Sequence, residues 1–598
     1  GATYLGGERC SFCVWAPYAR KVEIRIVEPG ERVLPMVKNE WGYHEALVED
    51  VGPGSQYFYL LDGETERADP ASRCQPKGVH GPSQVVDGSF NWTDDRWFGI
   101  PLKDYIIYEL HVGTFTPEGT FEAIIPYLDY LSTELGVTAV ELMPVAQFPG
   151  SRNWGYDGVY PYAVQNSYGG SLGPKMLVNA CHEKGLAVVL DVVYNHLGPE
   201  GNYMQDFGPY FTDWYNTPWG AAVNYDGPAS DEVKRYFSGN ALYWLAEFHI
   251  DSLRLDAVHA ILDHSPTPFL EELGATIHDL GDRLNRRKYL IAESPSNDPR
   301  LITLREMGGI GMDGQWSDDF HHCVHTLLTG EKEGYYQDYG SLRLLAKTFR
   351  DGYAYTGAYS AYRKRKHGAP SRQIPARRFT VFVQNHDQVG NRLLGERLAQ
   401  LVSFEQLKLA AGVMMLSPFV PLLFMGEEYG EDAPFQYFIS HSDPDLIEAV
   451  RKGRAEEFES FGWTEEPPDP QDESTFKRAK LNHELREEDR NKALLGFYQE
   501  LILFRKERPA LSRLSKNALE ALAFEQSKTL YIRRWSDDDE AVILFNFGGS
   551  ATSVTVEMPP GAWHKLLDSA DTKWSGSGGS TPEWLSSDGE ATLNLAPF

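Results

Sequence analysis

Basic residues are scarce in this chain. Its 598 residues hold 56 Lys and Arg against 85 Asp and Glu, a formal net charge of −29. Such a surface repels nucleic-acid phosphates and anionic membranes, so neither is expected as a partner, and a neutral substrate fits. Cysteine is scarcer still, with Cys10, Cys13, Cys74, Cys181 and Cys323 alone. An odd, scattered set excludes a disulfide framework and points to a reducing compartment. Cys10 and Cys13 have the spacing of half a zinc site, but no second pair follows and the run alternates (Phe12, Val14 against Cys13, Trp15). A strand is the expectation there, and no metal or other cofactor is inferred. Apolar runs long enough to span a bilayer are missing too. The first residues, Gly1-Ala2-Thr3-Tyr4-Leu5-Gly6-Gly7, lack the basic and apolar regions of a signal peptide, so a cytoplasmic location is expected.

Aromatics, in contrast, are plentiful at 13%, with 14 Trp and 32 Tyr. Their faces stack on the C–H faces of sugar rings, and they also fill large cores. Length alone suggests two to four domains. Residues 1–90 alternate in short runs (Ser11–Trp15, Lys21–Val27, Gln56–Leu61) between turn clusters, the pattern of a β-sandwich. Residues 516–598 turn β-rich again (Leu530–Trp535, Ala541–Phe547, Ser553–Met558), and a second antiparallel β-sandwich is expected.

Between them, residues 91–515 alternate strands with helices. The strand-like runs are Tyr105–Val112, Ala139–Pro144, Ala187–Val193, Ser252–Asp256, Tyr289–Glu293, Gly311–Trp316, Phe379–Gln384 and Val420–Met425. Helix-like segments include Pro174–Lys184, closed by Gly185, and Asp231–Phe248, with Ser230 as its N-cap. Eight apolar strands with crossover helices predict a (β/α)₈ TIM barrel. The largest insertion is Leu197–Ser230, and the acidic stretch Glu465–Ser474 reads as an exposed loop.

Three of these strands end in a carboxylate: Asp256, Glu293 and Asp387. Functional groups of such a barrel gather where strands end, so the three converge on one pocket. Arg254 stands two residues before Asp256, on the same strand face, where it supports the negative charge of a nucleophile. Glu293 follows an apolar run that favours its protonated form, as an acid requires. His386 and Asp387 can bind vicinal sugar hydroxyls, and His196 past the third strand suits a similar part. Tyr156, in Asn153-Trp154-Gly155-Tyr156-Asp157-Gly158, lies where a sugar ring could stack.

In order, Asp191-Val192-Val193-Tyr194-Asn195-His196, Leu253-Arg254-Leu255-Asp256-Ala257-Val258-His259, Ala292-Glu293 and Gln384-Asn385-His386-Asp387 resemble the four signature regions of the α-amylase superfamily, glycoside hydrolase family 13. The resemblance implies Asp256 as nucleophile, Glu293 as acid/base and Asp387 as transition-state stabiliser. It further implies that Arg254 orients Asp256, that Asp191 braces Arg254, and that His196, His386 and Tyr156 hold the ring. Ser252, in place of the usual Gly, and Pro295-Ser296 after Glu293 depart from the pattern without touching the triad.

Further stretches resemble the branch of that superfamily that cuts the α-1,4 bond beside a terminal trehalose. They include Asp69–Arg73, Gly78–Ser83, Phe148–Gly150, Asn153–Val159, Gly198–Tyr203, Thr217–Gly220, Phe269–Leu273 and Gln384–Arg392. That branch implies maltooligosyltrehalose or a related α-glucan as substrate, trehalose as product, and a pathway partner that makes the capped substrate. The Leu197–Ser230 insertion is expected to wall the leaving-group side, with Trp219 as a stacking face and His259 or Asp263 nearby. Two alternatives stand beside this: an α-1,4-glucan branching transferase on the same fold, and a catalytically inert glycan-binding protein.

Overall fold

Near-continuous apolar runs favour strands buried on both faces, and the computed structural model places all eight in one closed parallel barrel. It describes residues 1–460 and 467–598, the side chains of 457–460 excepted. The barrel strands are β1 (Ile107–Leu110), β2 (Ala139–Leu142), β3 (Ala187–Val192), β4 (Ser252–Leu255), β5 (Tyr289–Ala292), β6 (Gly314–Trp316), β7 (Phe379–Phe382) and β8 (Val420–Phe424), in sequential order round the ring. Each is shorter than its apolar run: β2–β5, β7 and β8 stop one or two residues early, at the rim, β6 starts late at Gly314, and β1 is trimmed at both ends. Inside, Ile107, Ala139, Val189, Ile291, Phe382 and Leu422 pack with Trp316 into an apolar core.

The N-terminal residues form two antiparallel sheets. One orders Ala2–Tyr4, Arg9–Trp15, Tyr43–Glu49 and Val37–Lys38, and the other Arg32–Pro35, Val22–Glu28, Gln56–Leu61 and Thr65–Arg67. Cys10, Phe12 and Val14 face the core while Cys13 lies on the other face, so Cys10 and Cys13 cannot share a ligand. At the C-terminus, Leu519–Phe524, Thr529–Trp535 and Glu540–Asn546 make one antiparallel sheet, with Thr552–Glu557 and Glu590–Leu595 paired alongside. Among the described residues no helix is long and apolar enough to cross a membrane.

Three local expectations are corrected. The helix expected from Pro174 begins at Leu172, ending at Glu183 with Gly185 beyond it at φ 74°. Ser230 is the first residue of the helix Ser230–Glu247 and not its cap. Ala229 holds that place at φ 63°, in a turn fixed by Asn224, whose amide receives Gly227 N–H at 2.9 Å and donates to Pro228 O at 3.0 Å. In the expected loop Glu465–Ser474, residues 465 and 466 lie outside the described residues. Residues 467–472 form the expected loop and 472–474 are exposed, but 467–469 are half-buried, Pro470 is buried, and a helix starts at Glu473.

The insertion Leu197–Ser230 is a folded unit. It carries the short helix Met204–Phe207 and the hairpin Phe211–Thr217 with Gly220–Val223, whose turn presents Trp219. Buried Glu200 anchors it. Its carboxylate contacts His80 Nε2 at 3.3 Å and His441 Nδ1 at 2.9 Å, and accepts from Ser442 N–H at 3.1 Å. Three distant chain segments thus meet on one side chain.

Candidate active site

Alternation along β4 turns Arg254 into the barrel, where it is fully buried. A buried guanidinium needs counter-charge and stacking. Its Cζ lies 4.3 Å over the Trp316 ring. Nη1 donates to both oxygens of Asp191 at 2.9 and 2.8 Å and to Asp256 Oδ1 at 3.0 Å. Nη2 stands 4.0 Å from Glu293 Oε2. One cation therefore gathers carboxylates from the ends of β3, β4 and β5.

Ala257 follows Asp256 at φ 40°, a left-handed conformation that costs a non-glycine residue energy. The kink aims its N–H at Glu293 Oε2, 2.7 Å away. Burial pushes the Glu293 carboxyl up to about 8. Arg254 opposes that rise, and the charges of Asp256, Asp318 and Asp387 reinforce it. All three expected carboxylates reach solvent, with side chains of Asp256, Glu293 and Asp387 13%, 15% and 40% exposed.

Across the mouth, His386 Nδ1 contacts Glu109 Oε1 at 2.5 Å and Nε2 meets Tyr156 OH at 2.7 Å. Burial disfavours its charge, yet Glu109 and Asp387 outweigh that and raise it to about 9, so the ring is a cation at neutral pH. Tyr156 also donates to Asp191 Oδ2 at 2.6 Å and lies in loose stacking on His386. Gly155 makes this possible. Its φ is 106°, and an added Cβ would stand 2.1 Å from Pro144 O. His196 is buried, with Nε2 3.0 Å from Tyr156 O, and burial lowers its proton affinity. The Trp219 ring lies parallel to it at 4.8 Å.

The outer expectations divide. His259 is exposed at the rim, in the turn Val258–Ala260, within reach of the Asp256 charge. Asp263 is corrected: its side chain is 2% exposed and pairs with Lys234 at 2.9 Å. It accepts the N–H of Ser265 at 2.8 Å and of Phe269 at 2.6 Å, which seats the helix Phe269–Leu284 behind the pocket wall. Its oxygens are thus engaged within the fold.

Sequence reasoning missed Glu109, Glu141, Trp316 and Asp318. Glu109 and Glu141 are partners in the β1–β2 register, and each interrupts a buried apolar strand, which was the available signal. Among the described residues both oxygens of Glu141 lack a hydrogen-bond partner, and burial beside Glu109 and Asp191 raises its carboxyl well above the usual range. It is therefore a neutral acid under the site.

Comparison with known proteins agrees with this geometry. Family models match as follows: carbohydrate-binding module 48 (isoamylase N-terminal domain) over residues 1–72, the alpha amylase catalytic domain over 84–222, and the alpha amylase C-terminal all-beta domain over 522–598. The chain is 49% identical over 503 residues to the malto-oligosyltrehalose trehalohydrolase of Saccharolobus solfataricus, covering 84% of this chain and 86% of that one. With the enzyme of that name from Arthrobacter ramosus it shares 47% over 556 residues, 92% and 93% of the two chains. A Salmonella typhimurium crystal structure, provisionally described as an alpha amylase, superposes with a TM-score of 0.87 at 37% identity, covering 100% of this chain and 99% of that one. A 1,4-alpha-glucan branching enzyme of Bacillus caldolyticus is more distant, 29% identical over 467 residues, 70% of this chain and 64% of its own. The chain belongs to the malto-oligosyltrehalose trehalohydrolases of the α-amylase superfamily.

Proposed function

We propose that this chain is a retaining glycoside hydrolase that cuts the α-1,4 bond next to the terminal trehalose of maltooligosyltrehalose, releasing trehalose and a maltooligosaccharide. The observation that carries the chemistry is the single Arg254 guanidinium in contact with both Asp256 and Glu293. Retaining hydrolysis needs a nucleophile and an acid close enough to act on one anomeric carbon, with carboxyls about 5–5.5 Å apart. Asp256 attacks C1 as the C1–O bond breaks, and the leaving oxygen takes the Glu293 proton. Water then attacks C1 and gives a proton back to Glu293, and the Asp256 ester bond breaks.

Glu293 holds its proton at neutral pH, which supports its role as acid. Asp387 binds hydroxyls of the ring being cleaved, His386 holds Tyr156 in place through Nε2, and Tyr156 and His196 lie along the ring's face. Arg254 positions Asp256, with Asp191 bracing it from the side away from solvent. Trp219, on His196, forms the wall of the leaving-group side, with His259 at the rim.

The free thiols support a reducing, cytoplasmic setting. The capped substrate would come from a maltooligosyltrehalose synthase. Incubation with maltotriosyltrehalose, with trehalose measured, tests the reading. Wild type is expected to release trehalose, and Asp256→Ala and Glu293→Gln are expected to release none. New α-1,6 branches on amylose without trehalose release would instead identify a branching transferase.

A further inference from the structure

The sixth barrel strand runs into two consecutive aspartates with opposite surroundings. Asp319 is buried, and its oxygens are saturated by Asn297 Nδ2 at 2.7 Å, Ala354 N–H at 2.7 Å, Tyr355 N–H at 2.9 Å and the Tyr339 hydroxyl. Asp318, the first residue of the helix Asp318–Thr329, is half-buried. Among the described residues its carboxylate accepts no hydrogen bond and pairs with no cation.

The surroundings of Asp318 locate it. It lies two residues past the end of β6, and β6 stands between β5 and β7 in the ring, so it sits between the ends that carry Glu293 and Asp387. In a ring of eight, β6 lies opposite β2, the strand that delivers Tyr156. Asp318 is thus across the pocket from the ring-binding group and beside the acid. Asp318 shares this mouth with the carboxyls of Glu293 and Asp387, and a charge on it that no hydrogen bond or ion pair among the described residues offsets raises the free energy of the empty protein. A ligand rich in hydroxyl donors relieves that cost.

We propose that Asp318 binds substrate on the leaving-group side of Glu293, its oxygens accepting hydrogen bonds from hydroxyls of the departing sugar unit. This rests on Glu293 being the acid. Asp387, Asp319, Arg254 and Arg363 face it from the end of β7, its own helix, β4 and the segment after Tyr359–Ser360. Burial, with the charges of Asp387 and Asp319, pushes Asp318 up to about 7 against the pull of the two arginines. Near neutrality it can therefore also donate a hydrogen bond.

The test uses the full chain, with Asp318→Ala and Asp318→Asn assayed on maltotriosyltrehalose. The Ala variant is expected to raise KM about tenfold with kcat changed less, and Asn to recover most of that loss because its amide oxygen still accepts. Both move the alkaline limb of kcat/KM to lower pH, since one negative charge beside Glu293 is gone, and both keep or raise the apparent Tm. Unchanged KM and limb, or a Tm fall of several degrees in both variants, overturns the proposal. Calorimetric binding of the same substrate to Glu293→Gln, with and without Asp318→Ala, separates it from the assignment of the acid. About tenfold weaker binding in the double variant supports the subsite, and equal binding refutes it. If Glu293→Gln turns the substrate over instead, the acid assignment falls, and the KM comparison still decides Asp318.

Discussion

Glu293→Gln is expected to stabilise the folded protein at neutral pH while abolishing turnover. The carboxyl is raised from an ordinary 4.5 to about 8. For a group raised on folding, stability is fully present below the unfolded value and is lost as pH climbs toward the folded one. At pH 7 the unfolded chain gains about 1.4 kcal/mol for each unit above its own value by ionising, roughly 3 kcal/mol in all, while the folded chain keeps the proton and gains nothing. Gln is neutral in both states and escapes that penalty. Allowing half for relaxation and hydration at the pocket mouth leaves about 1.5 kcal/mol, on the order of 2 °C in apparent Tm for a barrel this large. Thermal melts of both proteins at pH 4.5, 7 and 8 measure the gap, which should be near zero at the first and grow through the others. A Gln variant less stable at pH 7, or a gap independent of pH, refutes the reasoning.

Three further outcomes follow from the same geometry. Hydrolysis should decline above pH about 8 as Glu293 loses its proton, and a kcat/KM profile flat to pH 10 would assign the acid elsewhere. Arg254→Lys should lower kcat/KM about 10²–10³-fold, because one ammonium cannot replace a fork that reaches Asp191, Asp256 and Glu293 together, and a loss below tenfold contradicts this. Trp219→Ala should cut the preference for trehalose-capped over uncapped oligomers about tenfold, and an unchanged ratio of kcat/KM values removes Trp219 from the wall.

The barrel was legible because its strands are buried on both faces, so each reads as a largely apolar run, and a carboxylate at or just past its end marks the functional rim. Asp256, Glu293 and Asp387 stand out for that reason. Arg254 was legible through the two-residue repeat of a strand. Glu109 and Glu141 were not, because their meaning arises only when β1 and β2 align them side by side. Asp318 was hidden by its neighbour, since two adjacent aspartates at a helix start look alike until one is seen saturated and the other bare. Asp263 misled because its partners, Lys234 and the Phe269 N–H, come from helices on either side of it. The Leu197–Ser230 segment read only as an insertion, yet it folds into a hairpin that carries Trp219 to the cleft.

Glu200 has a consequence for how the molecule can be cut or rearranged. Its partner His80 precedes Ser83–Gln84, the last strand to pair into the first sandwich, while His441 and Ser442 lie beyond β8, so the leading module is riveted to the lip of the catalytic cleft. Removing that module would strip His80 from the rivet and loosen the flap that bears Trp219. Swapping in a foreign leading module should therefore alter which glucans are accepted, even with every acidic group of the centre left in place.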